Sequence, residues 1–219
     1  MNTVTQVIGA IVLIVSTLFP IVNPISCAPF FLAMTSGATR AERISLSRRV
    51  ASNSFFLLLG SLLIGSYILS FFGISLPIVQ VGGGLVVIST GWTMLKFEED
   101  DERKKIERSA SANHLMRKAF YPLTLPLTVG PGSISAAITL GANVPHPGGG
   151  RLLLGLVAAF TSALIIALLV FIFYAFADRT AKLVGPTGMG VIMRLSAFLL
   201  LCIGLQIVWN GVSALARGF

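Results

Sequence analysis

The sequence lacks most of what a soluble enzyme carries on its surface. Of 219 residues, 16 are Lys or Arg and 8 are Asp or Glu, so 11% are charged, against about 25% in an ordinary soluble domain. Apolar residues make up 55%, and the mean hydropathy is +0.89. A soluble core of this size cannot hide that much apolar surface. A globular enzyme, a disordered tail and a disulfide-stapled module are excluded, which leaves a polytopic membrane protein. The only two cysteines, Cys27 and Cys202, both lie in apolar stretches and suggest neither a disulfide nor a zinc site. The acidic residues Glu42, Glu98, Glu99, Asp100, Asp101, Glu102, Glu107 and Asp178 all fall outside or at the ends of the apolar runs, and His114 and His146 fall in loops. No carboxylate or imidazole is therefore available inside the membrane as proton relay, metal ligand or general base. No P-loop is present either. The chain reads as a non-enzyme with no metal and no cofactor.

The net charge of +8 would raise nucleic acid as a partner in a soluble chain. Here the basic residues sit in short loops, so the partner they imply is the lipid bilayer. Six apolar runs are long enough to span it: roughly Val4–Met34, Val50–Phe72, Ile74–Leu95, Ala119–Ala142, Leu152–Ala177 and Val191–Ala214. The first run has no preceding Lys or Arg and is too long for a cleavable signal. Phe71–Ser75 is a tight connection turning at Gly73. The odd loops hold Arg40, Arg43, Arg48 and Arg49, then Lys96, Arg103, Lys104, Lys105, Arg108, Arg117 and Lys118, then Arg179, Lys182 and Arg194. Only Arg151 and Arg217 fall on the other side. This asymmetry places both termini outside and the central linker, 98–118, in the cytoplasm of a plasma membrane, bacterial inner or archaeal.

The two halves resemble each other. Pro20, Pro24 and Pro29 recur as Pro122, Pro126 and Pro131 at one offset of 102 residues. Phe19 then matches Tyr121, and Ser26 matches Thr128. Further on, Gly73 matches Gly190 and Trp92 matches Trp209. Three spans per half reverse the second half in the membrane. The predicted fold is an all-α membrane protein, a 3+3 inverted repeat of 1–97 and 119–219 with spans 1 and 4 discontinuous.

Three prolines within ten residues do not fit an unbroken helix. The 31-residue run Val4–Met34 would be about 46 Å long as one helix, against a core of about 30 Å. Proline suits the first position of a helix. The expected half-helices are Pro29–Ala38 and Pro131–Ala142, with N-termini meeting near mid-bilayer. Free N–H groups there make an anion site without a cationic side chain. Around it the polar groups are neutral: Asn23, Ser26, Thr124, Thr128, Ser133 and Ser135. Freed carbonyls can take an ammonium group or a small cation. A small zwitterion matches such a pocket. The substrate-binding set is Asn23, Ser26, Thr128, Gly130, Gly132 and Ser133. Close helix packing accounts for Gly82–Gly84 and Gly91, and a hinge is the alternative. Asp178 is expected to pair with Arg179 at the surface.

The segments Asn23-Pro24-Ile25-Ser26-Cys27-Ala28-Pro29-Phe30 and Pro122-Leu123-Thr124-Leu125-Pro126-Leu127-Thr128-Val129-Gly130-Pro131-Gly132 resemble the MarC family of six-span membrane proteins. The resemblance covers nearly the whole chain. It implies transport of glycine, alanine and similar small neutral amino acids, driven by a gradient of an ion, H+ or Na+. That family's drug-resistance label follows from no residue here. The reading is a secondary transporter or exporter working by alternating access. A passive channel for small neutral solutes and a non-transporting membrane partner are the alternatives. The sequence leaves the oligomeric state open.

Overall fold

The computed structural model describes residues 3–35, 37–95, 119–142 and 149–217. The expected linker, 98–118, His114, His146 and most of the loop Asn143–Arg151 lie outside the described residues. Among the described residues there are helices and no strands. In chain order they are α1 (Thr3–Val22), α2 (Pro24–Met34), α3 (Arg40–Phe71), α4 (Leu76–Leu95), α5 (Phe120–Thr128), α6 (Pro131–Ala142), α7 (Gly149–Ala175) and α8 (Ala177–Arg217).

Five segments are long and apolar enough to cross a membrane: Thr5–Leu32, Arg40–Phe71, Leu76–Leu95, Leu153–Ala175 and Gly190–Arg217. The pair α5 and α6, bent by 62°, makes a sixth when taken as one span. Large apolar side chains such as Val12, Phe56, Leu85, Leu164 and Phe198 are exposed along these helices, where lipid would cover them.

The ends of α3 follow local rules. Thr39 accepts from the Glu42 backbone N–H while the Glu42 carboxylate accepts from the Thr39 N–H, a reciprocal cap. At the other end Gly73 takes φ +68° and its N–H donates to the Ser70 carbonyl at 3.1 Å, which turns the chain into α4. The stretch 178–190, between the last two apolar runs, is expected as a loop. It is helical instead, as the first part of α8, and the break is confined to Gly185 at φ 70° and ψ 168°.

The first interruption differs from expectation in its place. Pro20 lies inside α1 and Pro29 lies inside α2, so the half-helix starts at Pro24 and not at Pro29. Asn23 causes the break by adopting φ 47°, a left-handed geometry that Asn tolerates better than most residues. Its N–H donates to the Phe19 carbonyl (2.8 Å), and its carbonyl accepts from the Cys27 N–H (3.1 Å). One residue thus closes α1 and opens α2. The chain keeps a single course over Thr5–Leu32.

Packing follows the glycines. Helices α4 and α8 run antiparallel, with Gly84 against Gly204, Gly91 against Ala197 and Pro77 against Gly211. These positions recur every seven residues on each helix, the spacing of a left-handed helix pair. A Cβ on Gly84 would lie 2.7 Å from Val208 Cγ2 and 2.8 Å from the Gly204 carbonyl oxygen. Gly83, Gly84 and Gly91 are therefore packing residues, as expected, whereas a Cβ on Gly82 would meet nothing within 4 Å. Helix α6 is clamped on two sides. A Cβ on Gly141 would strike the Leu62 backbone in α3, and one on Gly83 would strike Ser135. The Ser135 hydroxyl also donates to the Val79 carbonyl of α4 at 2.7 Å.

Asp178 pairs with Arg43 and not with its neighbour Arg179, whose guanidinium lies over the Phe176 ring at 5.6 Å. The Arg43 guanidinium also donates to the carbonyls of Thr35 (3.3 Å) and Ala38 (3.2 Å) beyond the end of α2. A cation there complements the carbonyl end of α2, and Asp178 complements the amide end of α8. The reach of Arg43 across the bundle outweighs the adjacency of Arg179.

Gly84→Leu is predicted to destabilise the α4–α8 pair by about 1–3 kcal/mol. Thermal unfolding in detergent reads this as a lowered midpoint, while Gly82→Ala leaves the midpoint unchanged or slightly raised.

Candidate functional site

The second interruption is more severe than the first. Helix α5 is a wide coil containing Pro122 and Pro126, with extended residues at Tyr121 and Leu125 and cis peptides before both prolines. Prolines supply no N–H, so carbonyls along this segment need other donors. The Thr124 hydroxyl donates to the Ala119 carbonyl (2.6 Å), and the Thr128 hydroxyl donates to the Leu123 carbonyl (2.7 Å). The Val129 N–H donates to the Thr124 carbonyl at 2.8 Å and ends the coil. Helix α6 then starts at Pro131, as the sequence predicts. The Gly130 carbonyl accepts from the Ile134 N–H (3.1 Å) and from the Ser133 hydroxyl (2.9 Å).

The two interruptions face one cavity of about 120 Å³. Ile21, Val22, Asn23 and Cys27 line it from the first, and the stretch Pro126–Ser133, apart from Val129, from the second. Val86, Val87, Thr90 and Met94 of α4 and Leu200 of α8 form the remaining wall. On α4 the lining runs from Val86 and Val87, near the middle of the helix, to Met94, one residue from its end. Val86 and Thr90 are also exposed on the outside of α4, which marks this side as the mouth.

The polar groups around this space are specific. Asn23 Oδ1 accepts from the Ser26 N–H at 3.4 Å and caps α2. Asn23 Nδ2 is buried and has no partner. The Gly132 and Ser133 amides occupy the first turn of α6, where no intrahelical acceptor exists. These three are donors. Cys27 donates its thiol proton to the Leu127 carbonyl at 3.4 Å, an oxygen that Pro131 leaves without its helical partner. The Tyr174 hydroxyl lies 2.7 Å from Thr128 Oγ1. Among the described residues, no carboxylate, imidazole or ammonium lines the cavity.

Five of the six expected binding residues border the cavity: Asn23, Thr128, Gly130, Gly132 and Ser133. Ser26 does not, although its hydroxyl is fully buried and unpartnered. Thr124 is buried in α5, outside the cavity lining, and accepts from Asn53 Nδ2 of α3 at 3.3 Å. Three residues escaped the sequence reading. Tyr174 is fully buried in α7, stacks on Phe31 with ring centroids 4.5 Å apart and reaches Thr128. Cys27 bridges the two interruptions, and Asn53 reaches α5. Tyr174 and Asn53 carried a local signal, as polar side chains inside apolar runs. Their targets lie on other helices, beyond any local pattern. Gly132 also has a purely steric reason to be glycine, because a Cβ there would strike Val87.

Comparison with known proteins agrees with this architecture. The model for the MarC family integral membrane protein matches residues 8–216. The chain belongs to the MarC family. It is 30% identical over 206 residues to the UPF0056 inner membrane protein MarC of Salmonella typhimurium, covering 92% of this chain and 93% of that protein. It is also 30% identical to the UPF0056 membrane protein YvbG of Bacillus subtilis over 209 residues, 91% of this chain and 92% of the other. A UPF0056 membrane protein of Aquifex aeolicus is 28% identical over 201 residues, 92% and 91% of the two chains. No solved structure matches the chain.

Gly132→Ala is predicted to lose about 1–3 kcal/mol through overlap with Val87. Combining it with Val87→Ala should recover part of that loss, so unfolding of the four variants in detergent forms a double-mutant cycle with a favourable coupling.

Proposed function

We propose that this MarC-family chain is a secondary transporter or exporter of small neutral amino acids, working by alternating access across the inner membrane. The observation that carries the reading is the cavity between the two interruptions, where Asn23 Nδ2 and the first amides of α6 supply donors and, among the described residues, no charged side chain lines the wall. Such a cluster fits a carboxylate. A site without net charge favours a ligand that brings both charges and cancels them.

Size supports the same class. A dry cavity of 150 Å³ takes up benzene, with six non-hydrogen atoms, so a 120 Å³ cavity takes about five in proportion. Glycine has that size, and alanine is one methyl larger. Transporters with broken helices hold substrate at the breaks, and both interruptions line this cavity. The loop asymmetry orients the chain with both termini outside and places Arg43 and Asp178 at the cytoplasmic face. The antiparallel pairing of α4 and α8 is the arrangement two inverted three-span halves would give, and rocking one half against the other would expose the cavity alternately. Either a proton or a sodium ion is the coupling partner. Membrane transport sets the chain apart from an enzyme.

Glycine and alanine are expected to raise the melting temperature of the purified protein in detergent, whereas leucine is not. In proteoliposomes an imposed proton or sodium gradient should drive alanine uptake, and uptake indifferent to both gradients would favour a channel. Asn23→Gly keeps the left-handed backbone and deletes the donor. It should weaken alanine binding by about ten- to a hundredfold. A wild-type protein that responds to no neutral amino acid overturns the reading.

A further inference from the structure

Helix α8 has two long faces. One carries Gly204 and Gly211 against α4. On the other, Leu195, Leu199, Cys202, Gln206, Trp209 and Ser213 follow one another at alternating steps of four and three residues, which keeps them on one stripe of the helix. Ser213 is half-buried and the other five are exposed, Leu195 to 59% and Trp209 to 66%. Lipid suits the apolar members of this stripe. It does not suit Gln206.

Gln206 lies inside the apolar layer. Gly204 meets Gly84 and Gly211 meets Pro77, so Gln206 is level with about Gly82, some 9 Å from the start of α4 at Leu76. Helix α4, with 20 residues, is itself about as long as a hydrocarbon core is thick. Gln206 Nε2 donates to Asn210 Oδ1, one turn on, at 2.9 Å. That bond uses one Gln206 proton and one Asn210 lone pair. Among the described residues nothing takes the second Gln206 proton, the lone pairs of Gln206 Oε1 or the two Asn210 protons. The exposed hydroxyls of Thr17, Thr90 and Thr93 differ, because each donates to a carbonyl of its own helix. They present no unspent donor to lipid, whereas the two amides do.

We propose that the chain forms a twofold dimer through this stripe of α8, with a second copy of the chain as its occupant. Both copies insert in the same direction, so the axis runs along the membrane normal and each residue of the stripe meets its own counterpart. A primary amide is its own complement. The free Gln206 N–H donates to Gln206 Oε1 of the second copy, and the reverse bond closes the pair. An unrelated partner would have to present a matching amide at this depth, which the twofold axis supplies by construction. The steps of four and three suit a left-handed helix pair, the same period that α8 uses against α4. One polar residue at a core position of such a pair fixes its register. Leu200, which lines the cavity, is buried on the other side of α8, so each copy keeps its own cavity.

The sequence supplies the probe. Cys202 lies in the stripe, one turn before Gln206, and is exposed, while the only other cysteine, Cys27, is buried. Copper–phenanthroline with oxygen is the oxidant. It takes two electrons, and two protons leave, as two Cys202 thiols join in one disulfide. Applied to membranes holding the full-length chain, it should give a band of twice the mass on a non-reducing gel. Cys202→Ser should remove that band. In the Cys202→Ser background, Leu164→Cys on the exposed side of α7 should link at least tenfold less. Gln206→Leu should cut Cys202 linking at least threefold, and Gln206→Asn should cut it less. Unfolding midpoints in detergent confirm that each variant is folded. Cys202 linking no greater than that of Leu164→Cys means that lipid or another protein covers the stripe, and overturns the dimer. Undiminished linking in a folded Gln206→Leu overturns the amide pair as the contact that sets it. Neither result depends on which solute the chain carries.

Discussion

Everything in this structure answers to one constraint: a backbone that crosses an apolar medium must satisfy its own N–H and C=O groups. The proline-rich segments break that rule by withholding donors, and the fold repairs the damage with what lies nearby. Threonine hydroxyls serve the carbonyls of Ala119 and Leu123, and the Cys27 thiol serves Leu127. Asn23 absorbs the first break in a single left-handed residue and uses its side-chain oxygen as the cap of α2. Of the side-chain groups left buried and unpaired after these repairs, Asn23 Nδ2 lies at the cavity, whereas the Ser26, Ser54 and Ser162 hydroxyls do not. The chemistry of the site is thus the residue of a packing problem, left where water or a polar ligand can reach it.

Rigidity and freedom are distributed unequally around that cavity. Helix α6 is locked through Gly141 against α3 and through Ser135 and Gly83 against α4, and α4 is locked in turn to α8 along the Gly84–Gly204 seam. Close approach of backbones is the main source of helix association where lipid removes the hydrophobic drive. The α2 side is held differently. Its far end is tied by Arg43 to Asp178, a side-chain link that can open without repacking a helix interface. A bundle with one glycine-packed wall and one wall closed by an ion pair has an obvious place to yield.

Much of this was legible before any coordinates. Hydropathy marked the spans, because lipid demands about 20 apolar residues per crossing. The Gly130-Pro131-Gly132 turn marked the start of α6, because a proline at the first position of a helix loses nothing. The first break was read at Pro29 because prolines at three positions look alike in sequence. Only the fold decides which missing donor is tolerated, and it tolerated those of Pro20 and Pro29 inside helices while Asn23 took the turn. Asp178 was assigned to Arg179 by adjacency, whereas its partner lies 135 residues away. The helix cap at Thr39 and Glu42 is local, set by the three-residue spacing of the pair. Tyr174 could not be matched to Thr128 from sequence, since nothing local links a tyrosine in α7 to a threonine in α5.

A polar site without charged side chains has a functional logic of its own. A buried charge in a membrane costs several kcal/mol unless a partner neutralises it. A permanently charged site would have to present that charge to the bilayer whenever it was empty. Helix-end amides and hydroxyls carry only partial charges, so an empty cavity built from them can cross between two facing states at small electrostatic cost. A zwitterion in the cavity adds no net charge to that crossing. A net anion or cation would add one and raise the barrier. Selectivity for small neutral solutes would then come from the crossing as well as from the binding, with cavity volume setting the upper limit on the side chain.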